Sequence, residues 1–165
     1  MNQIITTYLE MNSQSELIEK ANSNGLEIVE AELKEFRFNR YLYSLVGGIW
    51  NWTDKLVLTD QQWKEYAESS HLRTWVAYYK GSIAGYFELN TDSKFNVEIA
   101  YFGLAPKFIG KGFGGYLLSC AIKFAWQKCN AKRVWVHTCT LDHPNALKNY
   151  QSRGLKIYLV EEGRQ

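Results

Sequence analysis

The chain has 165 residues, enough for one domain with a sizeable core and too few for two ordinary ones. Its formal charge of +2 is too small to argue for nucleic acid or an anionic membrane as partner, and no apolar run reaches the length that spans a bilayer. An apolar share of 46% with only two prolines excludes a disordered chain.

In chain order, Ile4 to Leu9 is β-rich and reads as an opening strand. Ser13 or Ser15 is placed to cap a short helix through Leu17 and Ile18, before Asn24-Gly25 turns the chain. Leu26 to Ala31 alternates apolar and acidic residues, as a half-buried strand does. From Leu33 to Val46, Phe38, Tyr41, Leu42, Leu45 and Val46 follow helical spacing, and Gly47-Gly48 suits a left-handed C-terminal cap. Trp50 and Trp52 stand two residues apart, so an extended backbone points both rings the same way. Thr59 or Asp60 is positioned to cap a helix carrying Trp63, Tyr66 and Ala67.

Arg73 to Tyr79 and Ile83 to Leu89 flank Lys80-Gly81-Ser82, which is a hairpin signal. Val97 to Leu104 suits a mostly buried strand, with Val97, Ile99 and Tyr101 on one face and Glu98 on the other. Pro106 ends it, having no N–H to donate. Leu117, Leu118, Ala121, Ile122 and Ala125 then mark one buried face of a helix. Arg133 to Thr138 is an alternating strand, Asp142-His143-Pro144 opens a short helix ending at Gly154, and Leu155 to Val160 closes the chain as a strand. The sum is a single-domain α/β fold with a mixed, mainly antiparallel sheet flanked by helices and one parallel crossover.

The stretch between the central strand and its helix carries the chemistry. Gly110, Gly112, Gly114 and Gly115 fall in six positions at a helix start. Without Cβ atoms the backbone approaches a ligand closely, and successive N–H groups point at one anion. The helix dipole adds roughly half a positive charge there, which suits phosphate or diphosphate. A Walker loop needs Lys followed by Ser or Thr after its last glycine; here Tyr116 and Leu117 follow. A dinucleotide fingerprint fails as well, since the loop reads G-K-G-F-G-G with no second βαβ half behind it.

The stretch resembles the diphosphate loop of the GNAT superfamily of acetyl-coenzyme A-dependent N-acetyltransferases, Gln/Arg-x-x-Gly-x-Gly/Ala, after a strand and a Pro. Gly112 and Gly114 match the small positions, and Ile109 stands where Gln or Arg is usual. A second motif supports the first: Ala146 to Leu155 resembles the family's Ala-x-x-x-Tyr-x-x-x-Gly-Phe ending, with Leu155 for Phe. His143 stands where the family often has Asn, and Asn145 is the candidate replacement. The resemblance covers roughly 73–160, the expected cofactor-binding core of a 1–165 domain, and leaves 1–72 as a variable acceptor-side part.

That resemblance implies acetyl-coenzyme A as cosubstrate, no metal, and an amine of a small molecule or protein as acceptor. Phe102, Gly103, Leu104, Ile109, Gly110, Lys111, Gly112, Phe113, Gly114, Gly115 and Asn145 are then the expected cofactor contacts. Tyr150 matches the tyrosine that faces the cofactor sulfur in many members, and its phenol is protonated at neutral pH. Glu98 matches by spacing the catalytic glutamate of histone-acetylating members, and a carboxylate among apolar residues has a raised pKa. Glu88 on the neighbouring strand is the alternative base or an acceptor contact. Trp50, Trp52 and Asp54 form an aromatic, acidic set suited to a cationic acceptor, or else the Trp rings are core. His137, Lys107 and Lys111 are weaker candidates, for catalysis and for phosphate contact respectively.

Cys120, Cys129 and Cys139 lack metal-ligand spacing and cannot all pair, and Met1 to Glu10 lacks a signal-peptide pattern. The expected setting is therefore a soluble, cytoplasmic protein, with a homodimer left open. Two rivals stand beside the enzyme: a catalytically silent acyl-coenzyme A-binding or sensory module, and a protein-interaction domain using the aromatic N-terminal part.

Overall fold

Seven strands and four helices succeed one another in a computed structural model that describes residues 3–164; Met1, Asn2 and Gln165 lie outside the described residues. They are β1 (Gln3–Met11), β2 (Leu26–Glu30), α1 (Phe36–Gly47), α2 (Asp60–Ala67), β3 (Leu72–Tyr79), β4 (Ser82–Thr91), β5 (Asn96–Leu104), α3 (Gly114–Gln127), β6 (Arg133–Cys139), α4 (Ala146–Ser152) and β7 (Lys156–Arg164). The strands form one sheet in the order β2-β3-β4-β5-β6-β1-β7. Neighbours are antiparallel except β5 and β6, the parallel pair joined by the α3 crossover. The opening strand is thus far from the rest of the N-terminal part: β1 is inserted between β6 and β7.

Two layers cover the sheet. On one face Leu117, Leu118, Ala121, Ile122 and Ala125 of α3 pack on Trp75, Phe87, Leu89, Val97, Ile99 and Val134. On the other, Leu42 and Val46 of α1 pack on Val76 and Tyr86, while Tyr43 meets Trp63 of α2. Burying this much apolar side chain, at about 25 cal/mol per Å², supplies the main drive for folding.

Local chemistry sets the element ends. Thr59 accepts from the Gln62 N–H and Gln62 reaches back to the Thr59 N–H, a capping box opening α2. Glu35 caps α1 through the Arg37 N–H, so the helix begins at Phe36 and not at Leu33. After Ser13 the expected helix shrinks to one 3₁₀ turn, Gln14–Glu16. Its successor Leu17 is already extended, and Ile18 donates its N–H to Arg153. The Lys80-Gly81 hairpin turn is confirmed, with φ of 47° and 85°.

Gly47-Gly48 does not form the expected left-handed cap. Gly48 is right-handed helical and the chain runs on through a 3₁₀ turn, Gly48–Trp50, to Asn51, whose φ is 55°. Gly47 is small because the Trp52 ring lies against it: a Cβ would stand 2.2 Å from Trp52 Cε3. The same turn separates the two indoles, so the expected same-side pair is corrected. Trp52 packs between Tyr43 and Tyr101, whereas Trp50 meets His143 edge-on at 5.0 Å between centroids.

A second correction concerns β5. The β4–β5 register steps from Leu89↔Ile99 to Glu88↔Tyr101, leaving Ala100 as a bulge. One extra residue reverses the alternation. Val97 and Ile99 face α3, but beyond the bulge Phe102 and Leu104 do so, and Tyr101 turns to the α1 side with Glu98.

Candidate active site

Strand β5 pairs with β6 only from Asn96 to Glu98. Past that point β5 continues to Leu104 and β6 to Cys139 with no pairing, so the strands splay and Glu98 sits at the vertex. A cleft of about 910 Å³ opens there. It runs from the glycine loop, past Tyr150, to Trp50 and Trp52.

The loop end is built as a cradle. Gly110 and Gly112 hold φ of 80° and 81°, which side-chain-bearing residues rarely adopt, so the turn needs glycine there. The first helical bond of α3 runs from the Leu117 N–H to the Phe113 carbonyl, so the N–H groups just before it have no partner in the helix. Asn24 Nδ2 donates to the Gly112 carbonyl and Asn149 Nδ2 to the Gly114 carbonyl, fixing the loop from two sides. These amides, and the open edge of β5 at Phe102, Gly103 and Leu104, fit a ligand with phosphates at one end and amides along its length.

Glu98 is three-quarters buried, and desolvation raises its pKa, against the pull of His137 and Lys55. His137 Nε2 stands 4.0 Å from its Oε1 on a half-exposed ring. Tyr150 is buried on α4, 6.2 Å from the Phe102 ring, and burial plus the Asp142 charge push its pKa well up. Asp142 does not cap α4. Its carboxylate accepts from the Thr138 hydroxyl at 2.5 Å and the Cys139 N–H at 3.0 Å. His143 Nδ1 accepts from the Asn145 N–H, which turns the chain into the helix.

At the Trp50–Trp52 end of the cleft Asp54 is already engaged. The Tyr43 hydroxyl donates to Oδ1 at 2.8 Å and the Tyr101 hydroxyl donates to Oδ2. The Lys55 ammonium lies 3.8 Å from the centre of the Tyr66 ring and 5.5 Å from that of Tyr101. Glu88 does not reach the cleft. It is buried behind Tyr66, accepting from that hydroxyl at 2.5 Å and from Asn39 Nδ2 at 2.9 Å, and its pKa is raised by desolvation. It therefore positions Tyr66 and α1, which removes it as a direct acceptor contact.

Of the residues singled out from sequence, the cleft brings together Trp50, Trp52, Asp54, Glu98, Phe102, Gly103, Leu104, Ile109, Gly110, Gly112, Phe113, Gly114, Gly115, His137, Asn145 and Tyr150. Lys111 belongs to the loop, but its ammonium lies over the Phe108 ring outside the cleft lining. Sequence reasoning missed Lys20, Asn24, Lys55, Tyr66, Tyr101, Asn149 and Arg153. All but Asn24 line the cleft. Sequence marks Tyr66 and Tyr101 only as packing positions, Asn24 only as a turn and Asn149 and Arg153 only as variable places in the Ala146-to-Leu155 ending, because their place at the cleft depends on contacts distant in sequence.

The model of the acetyltransferase (GNAT) family matches residues 26–155. The chain belongs to that family. No curated protein matches the chain significantly. Solved GNAT structures share its fold. The GCN5-related N-acetyltransferase from Sphaerobacter thermophilus superposes with a TM-score of 0.71 at 12% identity, over 97% of this chain and 50% of its own. The one from Kribbella flavida gives 0.67 at 13% identity, over 93% and 54%. The chain thus spans about half the length of these two proteins. A spermidine N-acetyltransferase from Vibrio cholerae, solved with CoA and spermine, gives 0.63 at 20% identity, over 79% and 80%.

Proposed function

We propose that the protein is an N-acetyltransferase that moves an acetyl group from acetyl-coenzyme A to an amine by direct attack. One observation carries the reading: a single cleft joins the glycine cradle, Tyr150, and a largely desolvated carboxylate at the vertex of the splayed strands. When bound, acetyl-coenzyme A supplies the thioester whose acetyl group is transferred. The amides of Ile109 to Gly115 hold its diphosphate, and the unpaired edge of β5 from Phe102 to Leu104 holds the arm that follows.

An aliphatic amine is cationic in water and must lose a proton before it attacks. Glu98 takes that proton, and its raised pKa makes it a better base than an exposed carboxylate. Tyr150 serves the leaving sulfur. Because burial keeps its phenol protonated, it acts as a hydrogen-bond donor to developing negative charge. Trp50, Trp52 and the Asp54–Tyr43–Tyr101 cluster wall the acceptor end.

A silent acyl-coenzyme A-binding module is the second reading, favoured by Ile109 and His143 standing where the family's usual residues are absent. A thiol-release assay with a panel of primary amines separates the two. Amine-dependent release is expected; CoA binding without release from any amine supports the silent module.

A further inference from the structure

The helix that ends the site carries a charge with no counterpart. Arg153 closes α4 and is 7% exposed, yet its Nε and Nη1 have no hydrogen-bond partner. A buried, unpaired guanidinium is costly, because desolvation is not offset by any contact. Burial accordingly depresses the Arg153 pKa, with no neighbouring carboxylate to restore it. The side chain lines the cleft, and Nη1 lies 3.0 Å from where a Cβ on Gly115 would stand. It is therefore aimed across the first turn of α3.

Lys20 reaches the same point. Its Cδ would meet that Gly115 Cβ at 2.6 Å, and its side chain also lines the cleft. The placement is held by backbone. The Lys20 N–H donates to Ser119 Oγ at 2.8 Å, and Ser119 donates in turn to the Gly115 carbonyl at 2.9 Å. Two residues earlier the Ile18 N–H donates to the Arg153 carbonyl at 3.0 Å. The segment before β2 is thereby stitched to both helices, and two basic side chains stand over the first turn of α3.

We infer that Arg153 and Lys20 form a clamp that closes over the start of α3 and takes the diphosphate of the bound coenzyme A. This rests on the acetyl-coenzyme A reading above. It also explains how Ile109 is tolerated: the side-chain cation comes from α4 and from the segment before β2 instead of from the loop. Arg suits the task because its planar fork gives paired N–H donors to phosphate oxygens, whereas Lys20 contributes a mobile point charge.

The test is titration calorimetry on the full chain with CoA, 3′-dephospho-CoA and pantetheine, the last by competition. Arg153→Met keeps the side-chain length and removes the charge. It is expected to weaken CoA and 3′-dephospho-CoA equally, by about 10- to 100-fold for one lost charge-assisted hydrogen-bond group, and to leave pantetheine unchanged. Lys20→Met is expected to give a smaller loss of the same pattern that fades at high salt. Should Arg153→Met fail to fold, Lys20→Met, on an exposed side chain, carries the comparison. A loss confined to CoA would assign Arg153 to the 3′-phosphate and overturn the diphosphate clamp. An equal loss with pantetheine, or no loss with any ligand, would overturn it too. A wild-type chain that binds none of the three would instead remove the acetyl-coenzyme A reading, and the clamp with it.

Discussion

Glu98→Gln separates chemistry from fold most cleanly, because it removes one charge and keeps size and hydrogen-bonding capacity. A positioned general base contributes about 10²–10⁴-fold, so turnover on an accepted amine should fall by that factor, about 3–5 kcal/mol of barrier. Affinity for the acyl donor should move little, since Glu98 lies at the vertex and the glycine loop lies at the other end of the cleft. The stability effect has the opposite sign. Desolvation raises the folded pKa of Glu98 above its ordinary value of 4.5, so the native state binds more protons than the unfolded chain between the two values. Stability is therefore lost as pH rises through that window and stays lower above it. Gln carries no such charge, so the variant should melt at or above the wild-type temperature near neutral pH, with the difference vanishing below about pH 4. The assays are kcat/KM against pH, where the rising limb set by Glu98 should disappear, and thermal unfolding at both pH values. A retained rate with the wild-type limb would transfer the base role to water. A variant less stable at neutral pH would refute the desolvation account.

Tyr150→Phe keeps the buried ring against Phe102 and deletes the hydroxyl, so single-turnover acetyl transfer should slow about 10- to 1,000-fold with donor affinity and stability nearly unchanged; a full chemical rate would leave Tyr150 a packing residue. At Gly114 an added Cβ meets only ordinary contacts in the protein, the nearest being Asn149 Nδ2 at 3.6 Å, so Gly114→Val should fold and lose CoA affinity by at least about tenfold. Gly112→Val should lose that affinity and also about 1–2 kcal/mol of stability, because its φ is 81°; unchanged CoA binding in both folded variants would dismiss the loop as the diphosphate site. Gly47→Ala should destabilise by about 1–3 kcal/mol in denaturant unfolding even though Ala is the better helix former by about 1 kcal/mol, since the new Cβ meets Trp52; equal or greater stability would contradict the packing account.

What the sequence made legible was local. Strand-loop-helix order, the four loop glycines and the short helix within Ala146 to Leu155 depend on spacing along one segment, and the structure returns these elements with boundaries shifted by a few residues. The parallel crossover through α3 follows from the same order. The insertion of β1 between β6 and β7 was not legible, because a β-rich hexapeptide says nothing about its partners. Nor was the role of Glu88. Its burial depends on Asn39, 49 residues away, and Tyr66, 22 residues away, which meet only after α1 and α2 dock on the sheet. Gly47-Gly48 misled for a different reason. Glycine answers both to backbone conformation and to close approach, and here the Trp52 ring decided.

The bulge at Ala100 explains how one strand serves both ends of the cleft. With strict alternation, Tyr101 would share the face of Val97 and Ile99 and pack under α3, while Phe102 would lie toward α1. Asp54 would then lose the hydroxyl that holds Oδ2, and Tyr150 would lose the aromatic neighbour at 6.2 Å. The extra residue keeps Glu98 and Tyr101 together on the α1 side and sends Phe102 and Leu104 to the side of α3 and the glycine loop. It also falls just past Glu98, where pairing with β6 has ended and β4 alone must accommodate the added length. A bulge costs least at such a place, since only one neighbouring ladder is interrupted. The splay that opens the cleft and the bulge that sorts its walls therefore occupy the same few residues of β5.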